Sequence, residues 1–392
     1  MKVRQANYVP GLDLLRFFAA CVVMIYHLAF WSWAYPDGQV AKASRGVANF
    51  QSWDDLTYFG WLGVQIFFVI SGFVIAISSE RSTPFKFFTS RFIRLVPAVW
   101  ICATITLAAW LLIDVGPRYK HLHEFIRSVT FNPLPPWIDS VYWTLGVEIC
   151  FYALVFILIS IQRFRWLKPT MCAIGLTSTL FWIGYWATIN LQGQPIAELF
   201  STVQWSRFGQ LLLIQHGVFF AMGVLLWLQL LKKRTVDQLI WLAIFAVGAI
   251  LQIAGETSLK LEKTGLSFSP LWPSLTWLAS MVFFWFAVAN NARLHELPAW
   301  ALQTLRRLGL MTYPLYLLHN VAGGALMGSL AGYGLPPALA LWVTILAIVA
   351  ISWWVSAVPE PAIQKLARFV FDAIESRWGG TRHSSRVPKS SG

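Results

Sequence analysis

The sequence predicts an all-α, polytopic membrane protein of about ten transmembrane helices with both termini in the cytoplasm. Three observations support this fold class. The 392 residues are 57% hydrophobic and only 12% charged, whereas soluble domains are about a quarter charged. Several apolar stretches reach the roughly 20 residues that a helix needs to cross a bilayer. The positively charged residues also collect on one side of the predicted spans.

Ten apolar stretches are predicted to be spanning helices. They cover about residues 12–31, 60–78, 95–113, 141–161, 170–189, 210–231, 238–254, 272–290, 309–329 and 337–356. With the N-terminus inside, 21 of the 30 Lys and Arg residues lie in cytoplasmic segments, eight lie in outer loops and Arg16 lies within the first span. Because positive residues favour cytoplasmic loops, this bias supports ten spans. It also explains the net charge of +13 without a nucleic-acid partner, for which the sequence holds no motif.

One membrane domain, residues 1–356, accounts for most of the chain. Apolar residues then recur at helical spacing, which predicts a cytoplasmic amphipathic helix over 357–378. Residues 379–392 are polar and are predicted to form a disordered tail. The four cysteines lie in apolar stretches without paired spacing, so we interpret them as small buried side chains. The run from His121 to Glu124 resembles metal ligands only superficially, and no metal site is predicted.

The first predicted helix carries three polar residues, Asp13, Arg16 and His27. At 100° per residue, Arg16 and His27 share a face and lie about 16 Å apart along the axis, and Asp13 lies within about 60° of both. A charged side chain at mid-bilayer costs roughly 2.5–3.5 kcal/mol and needs a reason. The pattern predicts a polar stripe facing the bundle interior. The structural alternative is an Asp13–Arg16 ion pair beside a hydrogen-bonded core histidine.

Glu148 lies in the fourth predicted helix, after the interfacial residues Tyr142 and Trp143. Its predicted depth, roughly 10 Å below the outer surface, is similar to that of His27. A carboxylate that orients a histidine is a common general-base arrangement, so we predict a Glu148–His27 pair. The alternative is that Glu148 accepts hydrogen bonds from backbone or Trp N–H groups.

Arg91 and Arg94 are i, i+3 neighbours at the predicted cytoplasmic boundary of the third helix. Guanidinium groups bind phosphate oxygens bidentately, which would suit a phosphate site. The alternative is ordinary anchoring of long basic side chains at the interface. His319 lies near the middle of the ninth predicted helix, where it could line the same cavity or simply pack.

Five segments together resemble the acyltransferase-3 family of bacterial membrane proteins, which includes O-antigen, exopolysaccharide and peptidoglycan O-acetylases. Leu12–His27 resembles the family's Arg–ten residues–His signature, Gly63–Phe73 its second-helix motif, and Arg91–Arg94 its Arg-x-x-Arg motif. Trp143–Glu148 resembles its Trp-Ser-Leu-x-Val-Glu pattern, and Tyr313–His319 its late Ser-Tyr-x-x-Tyr-Leu-x-His stretch. Gln65 replaces a commoner acidic residue, Thr144 replaces the Ser, and Ile149 stands where many members have a second Glu. These departures leave the family resemblance intact but do not identify a subfamily.

The resemblance implies a multi-pass protein of the bacterial inner membrane that moves an acyl group, usually acetyl, from cytoplasmic acyl-CoA. Acetyl-CoA would be a co-substrate, with no cofactor bound permanently. The resemblance also implies that Arg91 and Arg94 hold the CoA phosphates and that His27 is central to transfer.

The hypothesis that follows adds Arg16 to the phosphate site and makes His27, oriented by Glu148 or Asp13, the general base. The expected acceptor is a hydroxyl of a surface or lipid-linked glycan. Further candidates for lining the substrate cavity are Ser71, Trp143, Tyr313 and His319. An acyl-enzyme intermediate stays open.

Two other classes of membrane protein are alternatives that would use the same buried polar residues. A transporter or flippase could use them as a proton or substrate relay, although no inverted repeat or pair of broken helices is evident. A membrane subunit could instead shuttle acyl groups to a separate transferase.

Overall fold

The computed structural model describes residues 8–47, 49–191 and 193–379, and within these ranges the chain forms helices and no strand. Seven helical segments of the described chain are long and apolar enough to cross a membrane, and the apolar helices Gly217–Leu231 and Val321–Gly332 are shorter. The predicted all-α, polytopic membrane fold is confirmed. The count of ten spans and the cytoplasmic position of both termini stay predictions.

We number the described helices of ten or more residues in chain order. They are α1 (Pro10–Ile25), α2 (Gly63–Ser79), α3 (Pro84–Ile113), α4 (Arg118–Val129), α5 (Trp143–Ser160), α6 (Leu167–Thr188), α7 (Pro195–Trp205), α8 (Gly217–Leu231), α9 (Val236–Thr264), α10 (Leu271–Ala289), α11 (Ala299–Leu318), α12 (Val321–Gly332), α13 (Pro337–Ala357) and α14 (Pro359–Gly379). Helix α1 continues directly into a π-helical segment, Tyr26–Trp31.

Helices α2 and α8 pack closely at the centre of the bundle. Two glycines permit this approach: a Cβ added to Gly72 would collide with the carbonyl oxygen of Phe220, and one added to Gly223 would collide with that of Val69. Small residues at helix crossings allow the van der Waals contact that drives association inside a bilayer. The crossing fixes the position of α2 relative to the residues that precede α8.

The predicted span 309–329 is wrong in its boundaries. Helix α11 begins earlier, at Ala299, and ends at Leu318, and α12 begins at Val321. His319 and Asn320 form the break between the two helices. The side chain of Asp139 accepts hydrogen bonds from the Asn320 side chain and from the backbone N–H of Val321, so the break is held by a loop about 180 residues away in sequence.

Helix α14 occupies the segment predicted to be an amphipathic helix, and it packs on the start of α3. The ring of Phe371 contacts those of Phe85, Phe88 and Phe92, with centroids 5.2–6.4 Å apart. Its place on the cytoplasmic membrane surface stays a prediction. The predicted disordered tail lies, from residue 380 onward, outside the described residues.

Candidate active site

Two neighbouring cavities lie inside the helix bundle. The first, of about 90 Å³, is called the arginine cavity, and the second, of about 350 Å³, the histidine cavity. Val64 and Tyr316 line both cavities and so separate them. The polar side chains of the arginine cavity are Arg16, Ser71, Arg91, Arg94, Thr144, Glu148, Tyr152, Thr312, Tyr313 and Tyr316. Those of the histidine cavity include His27, Gln65, Trp143, His216, Glu256 and Lys260.

The arginine cavity brings together three guanidinium groups from two helices. Arg16 comes from α1, and its Nη1 donates to Oδ1 of Asp13 over 3.1 Å. Arg91 and Arg94 come from the first part of α3. Arg91 donates from Nη2 to Ser90, but its buried Nε has no hydrogen-bond partner within the described chain. Three cations with donors to spare form a site suited to phosphate oxygens.

Glu148 lies on the arginine cavity, and it accepts hydrogen bonds from Ser71 (2.9 Å) and from Tyr152. Tyr152 also lies under the guanidinium group of Arg91, 5.9 Å from its ring centroid. The predicted hydrogen bond between Glu148 and His27 is not formed in this structure, because α5 directs the carboxylate toward α2 and α3. Asp13 likewise forms an ion pair with Arg16 and not with His27, which is the structural alternative stated in the sequence analysis.

The imidazole of His27 lines the histidine cavity and lies in the π-helical segment that follows α1. Single π-helical turns occur often at functional sites. His27 Nδ1 is 3.0 Å from the carbonyl oxygen of Val23 and 3.0 Å from Nε2 of His319. The partner of His27 is therefore a second histidine.

The hydrogen-bond acceptors around the imidazole rings of His27 and His319 indicate which nitrogen of each ring carries the proton when both histidines are neutral. Nδ1 of His319 lies 3.2 Å from the carbonyl oxygen of Leu315, which can only accept, so Nδ1 carries the proton and Nε2 accepts. His27 must then donate from Nδ1, toward Val23 and His319. The lone pair of His27 is left on Nε2, the nitrogen that a general base needs.

His319 is held in place by the break between α11 and α12. The residue is fully buried, and the next residue, Asn320, donates to Oδ1 of Asp139 over 2.7 Å. Burial raises the pKa of Asp139 to about 6, and the hydrogen bonds from Asn320 and Val321 act against that shift. His319 packs behind His27 and is not among the side chains that line either cavity.

The remaining predicted residues are divided between the cavities. Ser71 and Tyr313 line the arginine cavity, and Trp143 lines the histidine cavity. Sequence reasoning missed Tyr152, although its position one helical turn after Glu148 was a usable signal. It also missed His216, Glu256 and Lys260, which stand in stretches that gave no pattern beyond their polarity.

A family comparison covers all of these positions. The model of the family described as acyltransferase domain matches residues 9–357 of the chain. The chain belongs to this acyltransferase family. The resemblance stated from the five segments is confirmed, and so is the prediction that the chain carries an acyltransferase domain.

Curated relatives of this acyltransferase chain match parts of it. Nodulation protein 10 of Rhizobium leguminosarum bv. viciae is 28% identical over 201 residues, which are 46% of this chain and 52% of the relative. Exopolysaccharide production protein ExoZ of Rhizobium meliloti (strain 1021) is 36% identical over 104 residues, 24% of this chain and 32% of the relative. The putative peptidoglycan O-acetyltransferase YrhL of Bacillus subtilis (strain 168) is 32% identical over 158 residues, which are 38% of this chain and 20% of the relative.

The chain thus spans about half or less of the length of these relatives. No solved structure matches it significantly.

Proposed function

We propose that this chain transfers an acetyl group from acetyl-CoA to a hydroxyl group of a surface or lipid-linked glycan. The observation that carries this proposal is that the two cavities are neighbours, with Val64 and Tyr316 lining both of them. One cavity offers three guanidinium groups for a phosphorylated donor. The other offers a histidine with a free basic nitrogen for an acceptor hydroxyl.

The donor is proposed to bind with its phosphates on Arg16, Arg91 and Arg94. Guanidinium groups fit phosphate oxygens as bidentate donors, and the flexible pantetheine arm would carry the thioester past Val64 and Tyr316 toward His27. Acetyl is the favoured acyl group because the Bacillus subtilis relative is named a putative peptidoglycan O-acetyltransferase.

The transfer step follows from the assigned tautomer. Nε2 of His27 removes the proton of the acceptor hydroxyl as its oxygen attacks the thioester carbonyl. The carbon–sulfur bond breaks, the acetyl ester forms, and the CoA thiolate takes the proton from His27. His319 accepts the Nδ1–H of His27 throughout, which keeps Nε2 basic and stabilises the imidazolium. In a variant of this mechanism, a Ser, Tyr or His side chain of the enzyme first takes the acetyl group as the CoA thiol leaves, and the acceptor hydroxyl then attacks this acetyl-enzyme, which forms the acetyl ester and frees the side chain.

The proposed orientation follows the distribution of charge along the chain. With the N-terminus in the cytoplasm, Arg16, Arg91 and Arg94 lie toward the cytoplasm, where acyl-CoA is found, and His27 lies toward the outer half of the membrane. The bacterial inner membrane is the corresponding location. The names of the relatives, which include an exopolysaccharide production protein and a peptidoglycan O-acetyltransferase, favour a glycan as the acceptor.

The test is acetyl transfer by the purified protein in lipid nanodiscs, with labelled acetyl-CoA and a panel of saccharides. His27→Ala and His27→Gln should lower the transfer rate by about 10²–10⁴-fold, the usual contribution of a general base. His123→Ala, at an exposed histidine of α4, is the matched control and should behave as wild type.

Transfer by both His27 variants within twofold of wild type would reject the proposal. Movement of a labelled glycan across the membrane without acetylation would favour a transporter. Labelled acetyl groups that reach the far side but appear on the glycan only after a second transferase is added would favour an acyl shuttle.

A further inference from the structure

His216 is the second histidine that lines the histidine cavity, and it has no role in the transfer step above. It immediately precedes α8 and is 1% exposed. The rings of Phe68 and Trp143 flank it, with centroids 5.5 and 5.3 Å from its own. Neither ring nitrogen has a hydrogen-bond partner among the residues that the structure describes. A buried imidazole without a partner is costly, so a ligand in the cavity is the natural partner.

Glu256 and Lys260, one turn apart on α9, line the same cavity. Their charged atoms lie 3.6 Å apart, which is longer than the 2.7–2.9 Å of a strong charge-assisted hydrogen bond. The ammonium group of Lys260 also lies over the rings of Trp31 and Trp61, 5.8 and 5.2 Å from their centroids. The aromatic rings and the carboxylate hold the ammonium in place, and both charged groups keep hydrogen-bonding capacity for a ligand.

Gln65 adds a further polar group to this cavity. When its amide nitrogen donates to the carbonyl oxygens of Leu62 and Trp61, both 3.2 Å away, its own oxygen is the atom left to accept. The residue is 2% exposed and lies on α2.

The charges that line the histidine cavity are balanced. Two carboxylates, of Asp37 and Glu256, accompany two ammonium groups, of Lys260 and Lys263. The lining therefore offers both hydrogen-bond donors and acceptors, together with the rings of Trp31, Trp61 and Trp143, and its carboxylate and ammonium charges cancel. Such a surface fits a ring that carries many hydroxyl groups and has apolar faces, and it gives no advantage to an anion.

We propose that His216 and the Glu256–Lys260 pair form a subsite that binds a neutral sugar residue of the acceptor beside His27. This inference rests on the proposed function and names its substrate class. His216 hydrogen-bonds a sugar hydroxyl, and Glu256 and Lys260 bind others, so that one hydroxyl is directed to Nε2 of His27. His216 is a specificity residue that acts on the acceptor and not on acetyl-CoA.

The experiment measures acetyl transfer in nanodiscs to chitotetraose, a neutral saccharide, and to a galacturonate tetramer, an anionic one. His216→Phe should raise the KM for chitotetraose by about tenfold or more, as expected for the loss of a hydrogen bond from a desolvated site. The KM for acetyl-CoA should change less than twofold. His216→Gln, which restores a donor and an acceptor, should recover part of the loss, and Glu256→Gln should raise the KM severalfold. His123→Phe is the matched control.

Binding of CoA by each variant verifies its fold, and if His216→Phe does not fold, His216→Gln and Glu256→Gln decide the question. Unchanged saccharide KM values in the folded variants, while His27→Ala still lowers the transfer rate as expected, would reject the subsite and leave the proposed function standing. Preference for the galacturonate tetramer would overturn the assignment of a neutral sugar. A wild-type protein that acetylates no saccharide would overturn both the function and the subsite.

Discussion

Nε2 of His319 lies 3.0 Å from Nδ1 of His27, although 292 residues separate the two histidines in sequence. His319 in turn is tied through its own Nδ1 to the carbonyl oxygen of Leu315. The two rings form a chain of hydrogen bonds that ends at Nε2 of His27. This chain makes His319 a positioning residue for the proposed base.

Replacing His319 tests that role. His319→Phe removes the acceptor for the Nδ1–H of His27, so we expect kcat to fall by about 10²-fold while the KM for acetyl-CoA stays within about twofold. His319→Gln can still donate to Leu315 and accept from His27, and should restore part of the rate. Steady-state kinetics in nanodiscs separates the two constants. Equal losses in the Phe and Gln variants would indicate a packing role instead.

Arg91 and Arg94 are expected to bind the phosphates of the donor. Arg91→Ala and Arg94→Ala should each raise the Kd for CoA by about tenfold or more, because a hydrogen bond to a charged group is worth about 1.5–3 kcal/mol. Calorimetric titration with CoA measures this. The control variant is Arg81→Ala, at an exposed arginine just before α3. Acetyl-pantetheine, which has no phosphate, should be used equally well by wild type and variants, and a similar loss with this donor would contradict the assignment.

Glu148 is expected to act through the arginines and not through His27. Glu148→Gln keeps the shape of the side chain but removes a negative charge beside Arg91, so CoA should bind about two- to tenfold more tightly. Tyr152→Phe removes one hydrogen bond to the carboxylate and retains its charge, and should not tighten binding. If Glu148→Gln instead lowered kcat as strongly as His319→Phe, without any change in CoA affinity, the result would favour the pairing of Glu148 with His27 that the sequence predicts.

Gly72 is expected to set the distance between α2 and α8. Gly72→Ala adds a Cβ against the carbonyl oxygen of Phe220, and overpacking of this kind costs about 1–3 kcal/mol. The thermal unfolding temperature in detergent should fall accordingly. Gly332→Ala is the control, since the Cβ that it would gain has no described atom within 4 Å apart from its chain neighbours and the backbone of its own helix turn. An equal shift in both variants would show that the effect does not come from the helix crossing.

The sequence alone determined the membrane fold and much of the site's membership. Bilayer thickness imposes a length of apolar residues that can be counted along the chain, so most of the predicted spans coincide with helices, and a charged residue within such a span is conspicuous. Arg16, His27 and Glu148 were identified in this way, whereas Arg91 and Arg94 were singled out by their i, i+3 spacing at a predicted membrane boundary. The family resemblance gave Arg91, Arg94 and His27 their expected roles. All five residues line the two cavities.

Only the tertiary structure decided which of these residues meet. Depth in the membrane can be read from a sequence, but the direction of a side chain around its helix axis depends on how the helices cross. Glu148 and His27 were matched by depth, yet α5 turns Glu148 toward the arginines. The partner of His27 comes from a helix break at His319, which is held by Asp139 in a distant loop. Contacts of this kind depend on packing across the whole bundle, which no local pattern records.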